Sequence, residues 1–150
     1  MNFRVLRFED KGQLVELLKQ LSPTFDASDF ALLALIKSKS FFGFVVENNN
    51  KIAGFGSLIV YPTILNGIVG RIEDVVVDQE YRGQGIGRKI MQMLIRQAFN
   101  CEVDKINLTS NPKREAARRL YQSLGFKKVE TGLFALELTP EYRKQLHDNG

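Results

Sequence analysis

Cysteine occurs once in the 150 residues, at Cys101, histidine once, at His147, and tryptophan not at all; there are 4 prolines. A lone cysteine forms no internal disulfide, so the chain is not a stapled secreted scaffold. With one Cys and one His it lacks the usual soft-ligand set of a metal centre, and no metal is expected. A Cys101 nucleophile would need a neighbouring base, and the single histidine sits near the far end of the sequence, so no nucleophilic role for Cys101 is expected. No apolar stretch approaches the roughly 18 residues of a membrane-spanning helix. The opening MNFRVLRFED carries no unbroken apolar core of a secretory leader. The expectation is a soluble protein with no membrane association, in a reducing, cytoplasmic compartment.

What is present is ordinary for a folded domain: 44% hydrophobic residues, 12 glycines, and no repeat or Pro/Ser-rich linker. A chain of this length buries about 70% of its unfolded surface, so a single domain over residues 1–150 is expected. The net charge of +4 is unevenly spread. Residues 1–75 hold 8 basic and 8 acidic side chains, residues 76–150 hold 13 and 9. Lys113, Arg114, Arg118, Arg119, Lys127 and Lys128 are opposed only by Glu115 between Ser110 and Lys128. Such a cluster suits a phosphorylated ligand. It has neither the zinc-finger spacing, the aromatic RNA-binding motif nor the long basic arm of a nucleic-acid binder, so no nucleic-acid partner is expected.

The apolar pattern gives an order of elements. Asn2–Arg7 reads as a strand, and Leu14, Leu17, Leu18 and Leu21 as a helix stopped by Ser22-Pro23. Ser28 caps a second helix with Phe30, Leu32, Leu33, Leu35 and Ile36. Phe41–Glu47 and Lys51–Val60 flank the turn-forming Asn48-Asn49-Asn50, and after a loop from Tyr61 to Gly70 the run Arg71–Val77 completes an antiparallel meander. Gly83, Gly85 and Gly87 then open a helix with Ile86, Ile90, Leu94 and Ala98 on one face. Asp104–Thr109 follows as a strand parallel to the fourth. Asn111-Pro112 reads as the start of a helix with Ala116, Leu120 and Leu124 inward and Gly125 as its stop. Strands near Phe126–Glu130 and Leu133–Leu138 and a short tail helix end the chain.

Glycines between a strand and a helix let backbone amides surround an anion, aided by the helix dipole. In Arg82-Gly83-Gln84-Gly85-Ile86-Gly87-Arg88 the spacing fits neither the dinucleotide fingerprint nor the triphosphate loop. It resembles the Gln/Arg-x-x-Gly-x-Gly/Ala signature of the GNAT superfamily of acyl-CoA-dependent N-acyltransferases, matched by Arg82, Gly85 and Gly87. The likeness extends to Asn111, Leu120-Tyr121 and Leu124-Gly125-Phe126. It implies an α/β (α+β) fold. Its mixed, mostly antiparallel sheet would have about seven strands flanked by about four helices, with a splayed parallel pair at strands 4 and 5.

The resemblance also implies acetyl-CoA as cofactor. The amides of Arg82, Gly83, Gln84, Gly85, Ile86, Gly87 and Arg88 would hold its pyrophosphate, and the backbone of Val75, Val76 and Val77 its pantetheine. Asn111 would line the cleft, and Arg114 or Arg118 would meet the adenosine phosphates. Tyr121 would be the general acid that protonates the departing sulfur, close enough to count as a cofactor contact. The family commonly places this Tyr seven residues after its Asn, whereas Asn111 and Tyr121 are ten apart, with Pro112-Lys113-Arg114 as the extra residues. Glu73 and Asp74 are candidates for binding the amine. Glu73 is favoured as the base because alternation puts it on the same face as Val75 and Val77.

Within the superfamily, Gly70–Val77 looks most like the glucosamine-6-phosphate N-acetyltransferases, while Tyr61–Gly67 lacks their charged segment. The implied activity is direct acetyl transfer in a ternary complex to a primary amine of a small molecule, an amino sugar phosphate among the candidates. A peptide or protein acetyltransferase and a non-catalytic CoA-binding module remain open. Phe134-Ala135-Leu136 would serve a homodimer.

Overall fold

Asn49 and Asn50 both adopt positive φ, 49° and 62°, the geometry of a two-residue hairpin turn, and the aromatic and β-branched runs on either side pair across it. The computed structural model describes residues 1–26 and 28–148. In chain order they form β1 (Asn2–Val5), α1 (Lys11–Leu18), α2 (Asp29–Lys37), β2 (Phe41–Asn48), β3 (Lys51–Thr63), β4 (Gly67–Val77), α3 (Ile86–Asn100), β5 (Lys105–Asn107), α4 (Glu115–Ser123) and α5 (Pro140–Asp148). The strands make one sheet in sequence order, antiparallel from β1 to β4 and parallel between β4 and β5.

The two faces of the sheet bury different sets. Leu14, Leu17, Leu18 and Leu32 of α1 and α2 pack on Val45, Ile52, Phe55 and Val76. Ile86, Ile90, Met91 and Leu94 of α3 cover Val46, Ala53, Leu58, Ile72 and Val75. Gly56 permits this close approach, since a Cβ there would stand 2.7 Å from Ile90. Ser28 caps α2 by accepting a hydrogen bond from the Ala31 amide; the side chain of Phe30 lies outside the described residues.

Several boundaries differ from the sequence reading. The expected loop from Tyr61 to Gly70 is mostly strand: β3 runs on to Thr63 and β4 begins at Gly67. The Thr63 hydroxyl closes the turn, accepting from the Asn66 amide and donating to the Gly67 carbonyl. Pro62 and the glycines signalled a loop, but a hairpin ladder tolerates them where no amide is required. Helix α4 begins at Glu115, because the Asn111 carboxamide accepts from the Lys113 amide and folds Pro112-Lys113 into a turn of its own. Among the described residues the sheet has five strands, not seven. Phe126–Glu130 and Leu133–Leu138 make no ladder, and Leu133, Phe134 and Leu136 are exposed by 75%, 96% and 65%. Alternation specifies a strand only where an edge is available, and β5 pairs over just three residues. The described residues form five α-helices rather than about four, the tail helix α5 being the fifth. No described helix is long and apolar enough to cross a membrane.

Candidate active site

Strands β4 and β5 pair only where Val69–Arg71 meets Lys105–Asn107, so β4 continues to Val77 without a β5 partner. Along that free edge two guanidinium groups occupy the outward carbonyls. Arg82 Nε donates to the Val77 carbonyl at 3.1 Å, and Arg114 Nη2 donates to the Val75 carbonyl at 3.0 Å. Val76 instead faces the α1/α2 core.

The same strand contains a bulge. Ser57 pairs with Glu73 and Phe55 with Val76, which leaves Asp74 and Val75 together opposite Gly56. Asp74 takes φ 55°, left-handed for a non-glycine residue. The extra residue reverses the alternation: Ile72 and Val75 share the α3 face, and Glu73 falls on the opposite parity. The expectation that Glu73 lies on the face of Val75 and Val77 is therefore corrected. Glu73 is held by Arg71, whose Nε meets Oε1 at 2.7 Å and whose Nη2 reaches Thr109 Oγ1 at 3.4 Å. Protein packed around the Asp74 carboxyl, and then the charge of Glu73, push its pKa up, although the residue as a whole is exposed.

Beyond β4 the chain turns through Gly83 and Gly85, at φ 78° and 77°, with no protein atom within 4 Å of where either Cβ would stand. Left-handed backbone explains glycine here, and the open space leaves room for a guest. The first hydrogen bond of α3 joins the Lys89 amide to the Gly85 carbonyl at 3.2 Å, so the amides before it project from the helix end. A Cβ at Gly87 would stand 3.4 Å from Leu120, so α3 sits close beside α4 here. Arg88 does not face the loop: its Nη2 donates to Ser123 Oγ at 2.7 Å.

Tyr121, on α4, is 6% exposed and joins the α3 core, edge-on to Phe126 with ring centroids 6.2 Å apart. Burial raises its pKa, and the positive charge of Arg114 opposes the rise. Among the described residues its hydroxyl has no hydrogen-bond partner. Ser110 Oγ is buried and equally unpartnered.

The structure thus brings Val75, Val77, Arg82, the glycine loop and Tyr121 to one edge. Asn111 is exposed, and its carboxamide oxygen accepts from the Lys113 amide. Arg114 enters at a place the sequence reading did not give it, although its position seven residues before Tyr121 was a signal. Arg114 also meets the strand rather than the far, phosphate end assigned to it.

The model of the Acetyltransferase (GNAT) family matches residues 12–126. A glucosamine 6-phosphate N-acetyltransferase of Trypanosoma brucei brucei is 31% identical over 139 residues, covering 87% of this chain and 91% of its own. Glucosamine 6-phosphate N-acetyltransferase 1 of Oryza sativa subsp. japonica is 30% identical over 129 residues, 79% of this chain and 76% of its own. The crystal structure of the Arabidopsis thaliana glucosamine-6-phosphate N-acetyltransferase superposes with a TM-score of 0.79 at 26% identity, over 90% of this chain and 97% of that one. From the first helix through the turn that closes α4, the chain belongs to the GNAT family of acetyltransferases.

Proposed function

We propose that this protein uses acetyl-CoA to acetylate the primary amine of a small molecule, by direct transfer in a ternary complex, with an amino sugar phosphate as acceptor. The free edge of β4 beside the glycine loop carries this reading. The residues there suit an elongated ligand with a diphosphate at one end and amides along its length. The loop offers open left-handed glycines and projecting amides, the Val75 and Val77 carbonyls lie outside any ladder, and Ser110 Oγ is a buried hydroxyl awaiting a partner. The amides from Arg82 to Arg88 would hold the pyrophosphate, and the edge toward Val77 the pantetheine amides, as Arg82 gives way.

Acetyl-CoA supplies the activated acetyl group when bound. The chain's own residues do the rest. Glu73, oriented through Oε1 by Arg71, has Oε2 left for the acceptor's ammonium and for its proton. Asp74 lies beside it as a second carboxylate for the cation. Tyr121 holds a proton at Oη, and its burial keeps it protonated above the ordinary tyrosine range. The bulge that turns Asp74 also frees a strand amide near Val75 to face developing negative charge at oxygen.

The amino-sugar reading is supported by the names of the relatives at about 30% identity and by Gly70–Val77. The test is CoA-thiol release by the purified protein across glucosamine 6-phosphate, polyamines, amino acids and short peptides. Saturable release with the phosphosugar is expected; release with another amine alone would reassign the acceptor, and silence across the panel would reject transfer. The extended, unpaired and apolar Leu133–Leu138 favours a homodimer, in which the same segment of a second copy supplies the missing ladder. Light scattering that gives the monomer mass at working concentration would reject it.

A further inference from the structure

Arg114 immediately precedes α4, seven residues before Tyr121, and reaches across to β4. Arg4, Arg71 and Arg119 each meet a carboxylate. Arg114 has no acidic partner among the described residues. It spends a hydrogen bond on the carbonyl of Val75 and keeps its charge uncompensated in a part-buried position. Arg82 sits one strand step away on Val77, at the glycine-loop end. A ligand with its phosphates on that loop and its chain along β4 would bring its far end to Arg114. We propose that Arg114 stabilises the thiolate that leaves during acetyl transfer; this rests on the CoA reading given above.

In the transfer, Glu73 takes the acceptor's ammonium proton, the freed lone pair forms the C–N bond, and the second N–H proton passes to the Tyr121 oxygen after that group has protonated sulfur. The C–S bond breaks with its electron pair passing to sulfur. Sulfur then holds one negative charge until the Tyr121 hydroxyl proton reaches it. A fixed guanidinium lowers the cost of that charge, and its planar fork can keep the Val75 carbonyl while offering a second donor to sulfur. The charged and titratable side chains on the elements that meet there are Arg71, Glu73 and Asp74 of β4, Arg82 of the glycine loop, Arg88, Lys89 and Arg96 of α3, and Glu115, Arg118, Arg119 and Tyr121 of α4.

The test is calorimetric titration of the full chain with CoA and with desulfo-CoA, which lacks only the thiol, between about pH 7 and about pH 9.5. An ordinary thiol titrates near about 8.5. If Arg114 depresses the bound thiol's pKa, affinity for CoA rises with pH by about tenfold per unit of depression, while desulfo-CoA reports any contribution from the surrounding groups. The gain is expected in the wild-type chain and in Arg114→Lys. It is expected to vanish in Arg114→Gln, which can still hydrogen-bond Val75 but has no charge, with desulfo-CoA affinity within about twofold of wild type. In turnover, Arg114→Gln should lower kcat about a hundredfold with KM for acetyl-CoA nearly unchanged. No pH gain in the wild type, or an undiminished gain in Arg114→Gln, would overturn the proposal. Loss of desulfo-CoA binding in Arg114→Gln would make the residue a structural staple and also overturn it. If the wild-type chain bound neither ligand, the CoA reading itself would fail.

Discussion

At the β1–β2 end of the sheet the Arg4 guanidinium is gripped by two carboxylates, Asp10 and Glu47, each at 2.7 Å, and Asp10 also accepts from the Arg7 amide at 2.8 Å. At the β4–β5 end Arg82 and Arg114 have backbone carbonyls instead, Ser110 Oγ and the Tyr121 hydroxyl lack partners, and Asp74 sits in left-handed backbone. In the first region Arg4, Asp10 and Glu47 satisfy one another, the condition under which a part-buried charge stabilises. The second leaves them unsatisfied or strained along one line. Unmet polar groups grouped on a single edge mark where a ligand completes the structure.

Removing the proton donor proposed above should break the open region's function with the largest effect. Tyr121→Phe should lower kcat by about 10²- to 10⁴-fold while CoA affinity and melting temperature stay close to wild type. Steady-state kinetics with parallel calorimetry checks it, and unchanged turnover would remove the acid role. The counterpart in the closed region is Asp10→Asn, which should cost on the order of 3 kcal/mol in denaturant unfolding with no change in kcat for the folded enzyme. Burial draws the Asp10 pKa up, but the hydrogen bonds and charge of Arg4 and the Arg7 amide outweigh it, and the net value is lowered. Its stabilisation is therefore fully present above its unfolded value of 3.8 and lost as pH falls through the lower folded one. The wild type and the variant should converge in stability under acid.

Gly85→Ala sharpens the contrast, since an L side chain at φ 77° costs about 1 to 2 kcal/mol and disturbs the loop amides. Weaker CoA binding should accompany the lower melting temperature. The smallest effect is a gain. With the Asp74 pKa raised, its charged form is disfavoured in the fold, so the penalty is absent in acid and appears as pH rises through the raised folded value. Asp74→Asn removes that penalty and suits left-handed backbone, so it should stabilise by under about 1 kcal/mol at neutral pH. A variant that melted lower than wild type would show that the Asp74 charge has a favourable contact in the fold.

Local chemistry made much of this legible. Asn49-Asn50 fixed the β2–β3 hairpin, Ser28 the start of α2, and the spacing of Ile86, Ile90 and Leu94 the buried face of α3. The glycine loop and Tyr121 were visible as a motif. Features that depend on distant partners were not. The bulge at Asp74 exists because β4 must register with β3 past Gly56, and nothing in Glu73-Asp74 announces it, so the parity of Glu73 came out reversed. The turn at Asn111, which delays α4 to Glu115, follows from a carboxamide contact only two residues long. Leu133–Leu138 has a strand's pattern without an edge to join.

The central claim is that the split edge of β4, the glycine loop and α4 form one CoA site, while the Arg4 end of the sheet is purely structural. Backbone amide resonances followed by NMR during titration with CoA test it most directly. Shifts confined to Val75–Val77, Arg82–Arg88, Ser110–Arg114 and the surroundings of Tyr121, with Arg4, Asp10 and Glu47 unmoved, are the predicted result. Saturable shifts centred elsewhere, or none at all, would contradict it.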